Sequence, residues 1–164
     1  MIYRLIKEDA LPTQLYLSTN ASNRKMFYQI NRPKYKNAWD RWLNTLNILS
    51  EINTRTVLRM TLIRNYNSDL NNVPEFVNII NQANPHFIEV KSYMHIGMST
   101  NRLEHNNMLD IKEVREFTNN LQKNLQDYNI MDESEISRIV VLQNQKRYTN
   151  RWIKEYFEPN IIQE

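Results

Sequence analysis

Two periods of hydrophobicity alternate along this chain. Four short runs rich in β-branched and aromatic residues, at 14–19, 55–63, 87–91 and 136–142, lack a helical repeat and predict strands. Between them the apolar residues recur every three or four positions. Over 37–52, Trp39, Trp42, Leu43, Leu46 and Leu49 share one helical face, which marks both tryptophans as core. A shorter helix carries Val73, Phe76, Val77 and Ile80. Another opens at Asp110, with Glu113 completing a capping box, and continues through Val114, Phe117, Leu121 and Leu125. Ser22 is positioned to cap a short helix through Ile30 that Pro33 ends.

Strands alternating with helices predict an α/β fold with about four parallel strands and flanking helices. A strand as apolar as Val57-Leu58-Arg59-Met60-Thr61-Leu62 predicts a sheet covered on both faces. With 164 residues, 1–164 is expected to form a single domain. Four strands do not close a barrel, which takes about eight in the common case. The unit therefore reads as half of something larger. Its first strand would be an edge awaiting cover from another chain or an upstream region.

Composition narrows the chemistry. No apolar run nears the roughly 18 residues of a membrane span, and charge interrupts the segment from Met1 too early for a signal peptide, so a cytoplasmic location is expected. The chain has no cysteine, which excludes disulfides and any cysteine-ligated zinc or iron–sulfur site of its own. His86 and His105 lack companions at metal-ligand spacing, and no metal site is expected. The formal charge of +3 matters less than its distribution. Between Arg24 and Trp42 six basic residues face one acid, interleaved with aromatics. The Pro-broken stretch Asn31-Arg32-Pro33-Lys34-Tyr35-Lys36 offers cations for phosphates and a tyrosine for base stacking. A second basic and aromatic cluster comprises Lys146, Arg147, Tyr148, Arg151, Trp152 and Lys154.

In a parallel α/β sheet, ligands sit at the C-terminal ends of the strands. There, side chains two apart share a face. Ser18 and Asn20, Arg59 and Thr61, and Glu89 and Lys91 form three polar pairs, each near the end of its own strand. They either converge on a ligand or, for Arg59 and Glu89, simply pair across the sheet. Lys91, if desolvated, is suited to form a Schiff base with a ketone. The loop Ser92-Tyr93-Met94-His95-Ile96-Gly97-Met98-Ser99 follows, with the chain's one glycine, needed for a positive φ or for close approach of a ligand. His95 is a general acid–base candidate or a plain hydrogen-bonding residue.

These same residues resemble a known family. Glu8-Asp9-Ala10-Leu11-Pro12-Thr13-Gln14-Leu15-Tyr16-Leu17-Ser18, Ile30-Asn31-Arg32-Pro33, Arg55-Thr56-Val57-Leu58-Arg59-Met60-Thr61-Leu62, Phe87-Ile88-Glu89-Val90-Lys91-Ser92-Tyr93-Met94-His95-Ile96-Gly97 and Glu133-Ser134-Glu135-Ile136-Ser137-Arg138 occur in the order found in the archaeal and eukaryotic 4-demethylwyosine synthases. The resemblance implies the C-terminal half of a partial (β/α)₆ radical-SAM barrel, from a lyase that condenses pyruvate with N1-methylguanosine in tRNA(Phe) during wybutosine biosynthesis. It implies S-adenosylmethionine (SAM) and a [4Fe–4S] cluster as cofactors. The cluster's Cys-x3-Cys-x2-Cys ligands belong to an N-terminal half-barrel polypeptide or region that this chain lacks.

By position, Ser18, Asn20, Arg59 and Thr61 would line the SAM pocket, and Lys91, Tyr93 and His95 would be catalytic, facing substrate. Arg32, Lys34 and Lys36 would approach tRNA, with Lys146 and Arg147 as further RNA-binding positions. Two departures stand out: Asn20 where the family turn carries Asp, removing a charge near SAM, and Ser92 where it carries Gly, stiffening the loop. The alternatives are a non-catalytic tRNA-binding remnant or accessory subunit and a cluster-free lyase acting through Lys91.

Overall fold

Leu58, Met60 and Leu62 alternate with Val57, Arg59 and Thr61 along β2 (Arg55–Leu62), so one face of this strand is apolar from Leu58 onward and the other is mixed. The same split recurs in β3 (Phe87–Ser92), where Ile88 and Val90 are buried with no exposure while Glu89 and Lys91 lie on the opposite side. The structure, a computed structural model, describes residues 2–153. Within it β1 (Gln14–Ser18), β2 and β3 run parallel, and the hairpin of β4 (Tyr128–Ser134) and β5 (Ile139–Asn144) completes a five-stranded sheet of order β1-β2-β3-β5-β4. β5 pairs antiparallel with β3, and β4 antiparallel with β5.

The helices α2 (Arg24–Asn31), α3 (Ala38–Glu51), α4 (Val73–Ala83) and α5 (Ile111–Lys123) supply the apolar residues that pack on the Leu58–Ile88–Leu142 side. In α3, Trp39 is buried and stacks on the partly buried Trp42 at 5.1 Å between ring centroids, so the tryptophans serve the core as the helical spacing predicts. Asp110 and Glu113 form the expected capping box at the start of α5. A short α1 (Ile2–Lys7), which the pattern did not signal, lies beside β1. With Leu15, Leu17, Trp42 and Leu49, its Ile2 and Leu5 line a largely apolar cavity of about 420 Å³. Among the described residues β1 is an edge strand, with nothing paired on its far side.

Four expectations need correction. Only three strands are parallel; the fourth predicted one is β5, shifted to Ile139–Asn144 and reversed, because Ile136 sits 98% exposed in the turn and Arg138 (φ 51°) closes it in the left-handed region. β4 escaped notice because its sequence Tyr-Asn-Ile-Met-Asp-Glu-Ser is polar at most positions, as an edge strand tolerates. Among the described residues, helices cover one face of the sheet only; on the other, the segment after β5 crosses the end that holds Val57, Phe87 and Gln143, and Arg59, Thr61 and Lys91 are part-exposed. Asn23, not Ser22, caps α2 by accepting from the Met26 amide at 2.9 Å, while the buried Ser22 donates to Glu75 at 2.6 Å. Lys154 of the second basic cluster, and Met1, lie outside the described residues.

Candidate active site

Register builds the site. Ser18, Arg59, Glu89, Val141 and Asp132 are successive partners across β1, β2, β3, β5 and β4, so they form one row on the face away from the helices. One step nearer the C-terminal ends of the parallel strands, Thr61, Lys91 and Ile139 form the next row. Two of the three polar pairs thus rise side by side on one face. Asn20, just past β1, joins them through its side-chain oxygen, which accepts from the Thr61 amide at 3.2 Å.

Arg59 and Glu89 do pair across the sheet. The guanidinium donates through Nε to Oε1 at 2.8 Å and through Nη2 to Oε2 at 3.1 Å, a fork that satisfies both carboxylate oxygens. The Tyr16 ring lies 4.4 Å from the guanidinium carbon. The hydrogen bonds to Glu89, outweighing desolvation, raise the Arg59 pKa further above its ordinary value. Lys91 is half-buried and has no ion-pair or hydrogen-bond partner for its side chain among the described residues.

Tyr93 and His95 assemble a separate chain. Tyr93 is buried, and its hydroxyl donates to Ser99 Oγ at 3.1 Å while His95 Nδ1 stands 3.2 Å away; Ser99 in turn donates to the Ile96 carbonyl at 2.7 Å. The Tyr93 hydroxyl and His95 Nδ1 share one hydrogen bond whose direction follows the imidazole tautomer, and Nε2 makes no hydrogen bond among the described residues. His105 packs edge-on against His95, with ring centroids 6.1 Å apart. Gly97 adopts φ 61°, the positive value expected of it, and no protein atom lies within 4 Å of where a Cβ would stand. Ser92 is buried in the strand, its hydroxyl donating to the Tyr93 carbonyl and accepting from the Leu109 amide, each at 2.9 Å.

Arg32, Lys34 and Lys36 lie on the turn between α2 and α3, at the strand-end side of the sheet, all three exposed. Arg32 takes the left-handed C-cap of α2, φ 45°. Arg102, which the sequence reading passed over, reaches the Ile30 carbonyl at 3.4 Å and lines a crevice together with Arg32, so it extends this basic rim. Its signal is spatial, being 70 residues away in the chain.

Lys146 and Arg147 are elsewhere. They follow β5, whose end pairs with the start of β3, and so lie at the opposite end of the sheet from Lys91. Lys146 pairs with Asp127 at 2.9 Å. Arg147 donates to the carbonyls of Leu49, Ile52 and Asn84 at 3.2, 3.2 and 2.7 Å, tying off the ends of α3 and α4. Asn67 also went unnoticed: it is 1% exposed, accepts from the Ile63 amide at 2.6 Å and donates to the carbonyls of Asn20 and Thr61 at 2.9 and 2.8 Å.

The donor set does not fit an iron–sulfur cluster: the chain has no cysteine, and no group of three His or acidic side chains among the described residues is placed to hold a metal. It fits a polar small molecule better. The hydroxyls of Ser18 and Thr61 and the amide nitrogen of Asn20 have no partners among the described residues, while Arg59 is engaged by Glu89 and Tyr16.

The clamped arginine–carboxylate pair and the unpaired lysine thus stand at the parallel strand ends of a mixed α/β sheet, where ligands bind in α/β proteins. Residues 82–144 match the family described as wyosine base formation. The chain is 41% identical over 138 residues to the S-adenosyl-L-methionine-dependent tRNA 4-demethylwyosine synthase of Pyrococcus horikoshii, covering 84% of this chain and 40% of that protein. It is 43% identical over 139 residues to that of Methanocaldococcus jannaschii, covering 85% and 43%. A solved structure of TYW1 with a lysine–pyruvate adduct bound superposes with a TM-score of 0.74 at 40% identity, over 87% of this chain and 44% of that one. The chain is therefore a relative of the tRNA 4-demethylwyosine synthases, and it spans about two fifths of the length of these curated relatives.

Proposed function

We propose that this chain is the C-terminal part of a radical-SAM tRNA 4-demethylwyosine synthase, in which Lys91 forms an imine with pyruvate for condensation with N1-methylguanosine in tRNA(Phe). One observation carries the reading: an unpaired lysine on the open face at a parallel strand end, in a chain that superposes on TYW1 with a lysine–pyruvate adduct bound. In this reading the sheet is the C-terminal half of a partial (β/α)₆ barrel, acting as one domain, and a half that carries the cluster covers the β1 edge and its apolar cavity.

The chemistry asked of Lys91 is ordinary. Its unprotonated nitrogen adds to the keto carbon of pyruvate, the former carbonyl oxygen leaves as water, and the imine makes the adjoining carbons easier to activate. Ser18, Asn20, Arg59 and Thr61 would hold SAM, which supplies radical chemistry when bound and reductively cleaved. His95 Nε2, the open end of the Tyr93–Ser99 chain, is suited to move a proton at the substrate. Arg32, Lys34 and Lys36, with Arg102, would meet tRNA phosphates at the rim, with Tyr35, 58% exposed, offering a stacking surface. Lys146 and Arg147 would touch only RNA that reaches the other end of the sheet. A tRNA substrate fits a cytoplasmic site of action, and no helix among the described residues is long and apolar enough to cross a membrane.

The test is Lys91→Ala in the complete enzyme, this chain together with the cluster-bearing half. Product formation should vanish while SAM cleavage persists. Loss of both activities would assign Lys91 to folding or to SAM binding and sink the imine reading.

A further inference from the structure

Tyr66 stands between two depressions at the strand-end side of the sheet. On one side it joins Arg32 and Arg102 in a narrow crevice. On the other it lines a polar cavity of about 390 Å³ together with Arg64, Asn65, Ser68, Asn71 and Asn72. That volume falls within the range of about 300–1,000 Å³ found for small-molecule pockets. The ring is half-buried, and its hydroxyl has no hydrogen-bond partner among the described residues.

The turn that carries Tyr66 is fixed before any ligand arrives. The Tyr66 amide donates to the Ile63 carbonyl at 3.1 Å. The next residue, the buried Asn67, accepts from the Ile63 amide and donates to the carbonyls of Asn20 and Thr61. A ring held this way loses little freedom on binding. The same bonds tie the turn to the segments that carry Asn20 and Thr61, so both depressions border the candidate site.

Each wall offers a different chemistry. Arg32 and Arg102 are exposed. Arg32 holds the left-handed C-cap of α2, φ 45°, where glycine or asparagine is usual. An arginine there costs backbone energy, a cost that a working guanidinium explains. Arg102 bonds the Ile30 carbonyl and so offsets the negative end of α2, which by itself repels an anion. In the cavity, the side chains of Asn65, Asn71 and Asn72 and the Ser68 hydroxyl make no hydrogen bonds among the described residues. An amide presents a donor and an acceptor together, as the edge of a nucleobase does. Arg64 is neutralised by Glu113, and Asp69 adds a carboxylate to this wall, so phosphate is disfavoured in the cavity and favoured in the arginine crevice.

We propose that Tyr66 is the stacking platform of a nucleotide pocket: an unpaired base lies on the ring with its edge toward the asparagines, and its phosphate meets Arg32 and Arg102. Paired bases keep their faces inside the helix stack, so the pocket selects single-stranded RNA over duplex. The inference rests on the tRNA reading of the basic rim and deepens it, the occupant being a loop nucleotide beside the one that is modified.

Fluorescence anisotropy of the full chain with three labelled RNAs tests this: a tRNA anticodon stem-loop, an unstructured single strand and a blunt duplex. Tyr66→Leu should weaken binding of the first two about tenfold, the loss of one base–aromatic stack, with the salt dependence unchanged. Tyr66→Phe, which keeps the ring, should restore it. Duplex binding should not follow the ring, whereas a folding defect would lower all three. Arg32→Ala with Arg102→Ala should reduce the slope of log affinity against log salt on the single strand by about 0.7 per arginine. Wild-type affinity of Tyr66→Leu for the unpaired RNAs would overturn the inference, as would an equal loss on all three probes. Wild-type protein that binds the single strand but not the stem-loop would defeat the tRNA reading alone, and the Tyr66 series on the single strand would still decide the pocket. Binding of neither unpaired RNA by wild-type protein would overturn both.

Discussion

Ser92 shows how one side chain decides a local structure. Its hydroxyl occupies the space between the Tyr93 carbonyl and the Leu109 amide, so the loop after β3 is stitched to the segment leading into α5. His86 acts similarly at the other end of the sheet, where its Nδ1 accepts from the Thr56 amide at 3.1 Å. Burial, then the cations of Arg147 and Arg55, lower its pKa to about 4 from an ordinary 6.5. The unfolded chain therefore binds the proton first as pH falls. His86 costs no stability above about pH 6.5, and stability is lost progressively as pH drops toward 4. His86→Asn keeps an acceptor for Thr56 and removes the titration. Its melting temperature should fall less steeply than wild type between pH 6.5 and 4, and parallel curves would remove His86 from the acid transition. At this scale the sequence exposed Lys91 and Arg59 as polar residues on a strand, but left open whether Arg59 and Glu89 met each other or a ligand. The fork distances decide that they meet.

Elements are held by fewer residues than their length suggests. Asn67 joins the turn after β1 to the end of β2 through three hydrogen bonds, and those two segments carry Asn20 and Thr61. Asn67→Ala should cost about 2 kcal/mol and lower the melting temperature by roughly 4–8 °C. An unchanged melting curve would mean that water replaces the amide. Asp110→Ala removes the acceptor for the Glu113 amide at 2.9 Å and should lower the melting temperature by roughly 2–4 °C. The cap was legible because capping is local: both residues fall within one turn. The Asn67 clamp was not, since its acceptor Asn20 lies 47 residues away. The β4–β5 hairpin fell between these cases. β5 is apolar enough to read as a strand, but its direction depends on a turn where Arg138 adopts a left-handed backbone, which residue type does not announce.

Among the described residues, the arrangement that matters is a sheet face that presents Arg59, Thr61 and Lys91 above a helix-packed apolar layer, with a basic rim on the strand-end side. If the rim carries tRNA, Lys34→Ala with Lys36→Ala should weaken binding and reduce the slope of log affinity against log salt by about 1 per lysine. Lys146→Ala, at the far end, should change that slope less. Equal effects from both ends would mean that RNA wraps the sheet, and no effect from Lys34 and Lys36 would remove the rim from the interface.

By itself, the sequence determined the parts governed by short-range physics. Periodicity marked α3, α4 and α5, the strand cores of β1 to β3, and the polar positions that alternate with them, because side-chain direction in helices and strands repeats over a few residues. The absence of cysteine settled that the chain's own residues do not ligate a cluster. Only the tertiary structure decided that the described helices pack on one sheet face, that β5 returns antiparallel, that Lys146 and Arg147 lie far from Lys91, and that Arg59 holds Glu89. Each of these depends on which distant segments become neighbours, and that choice is made by burial across the whole sheet.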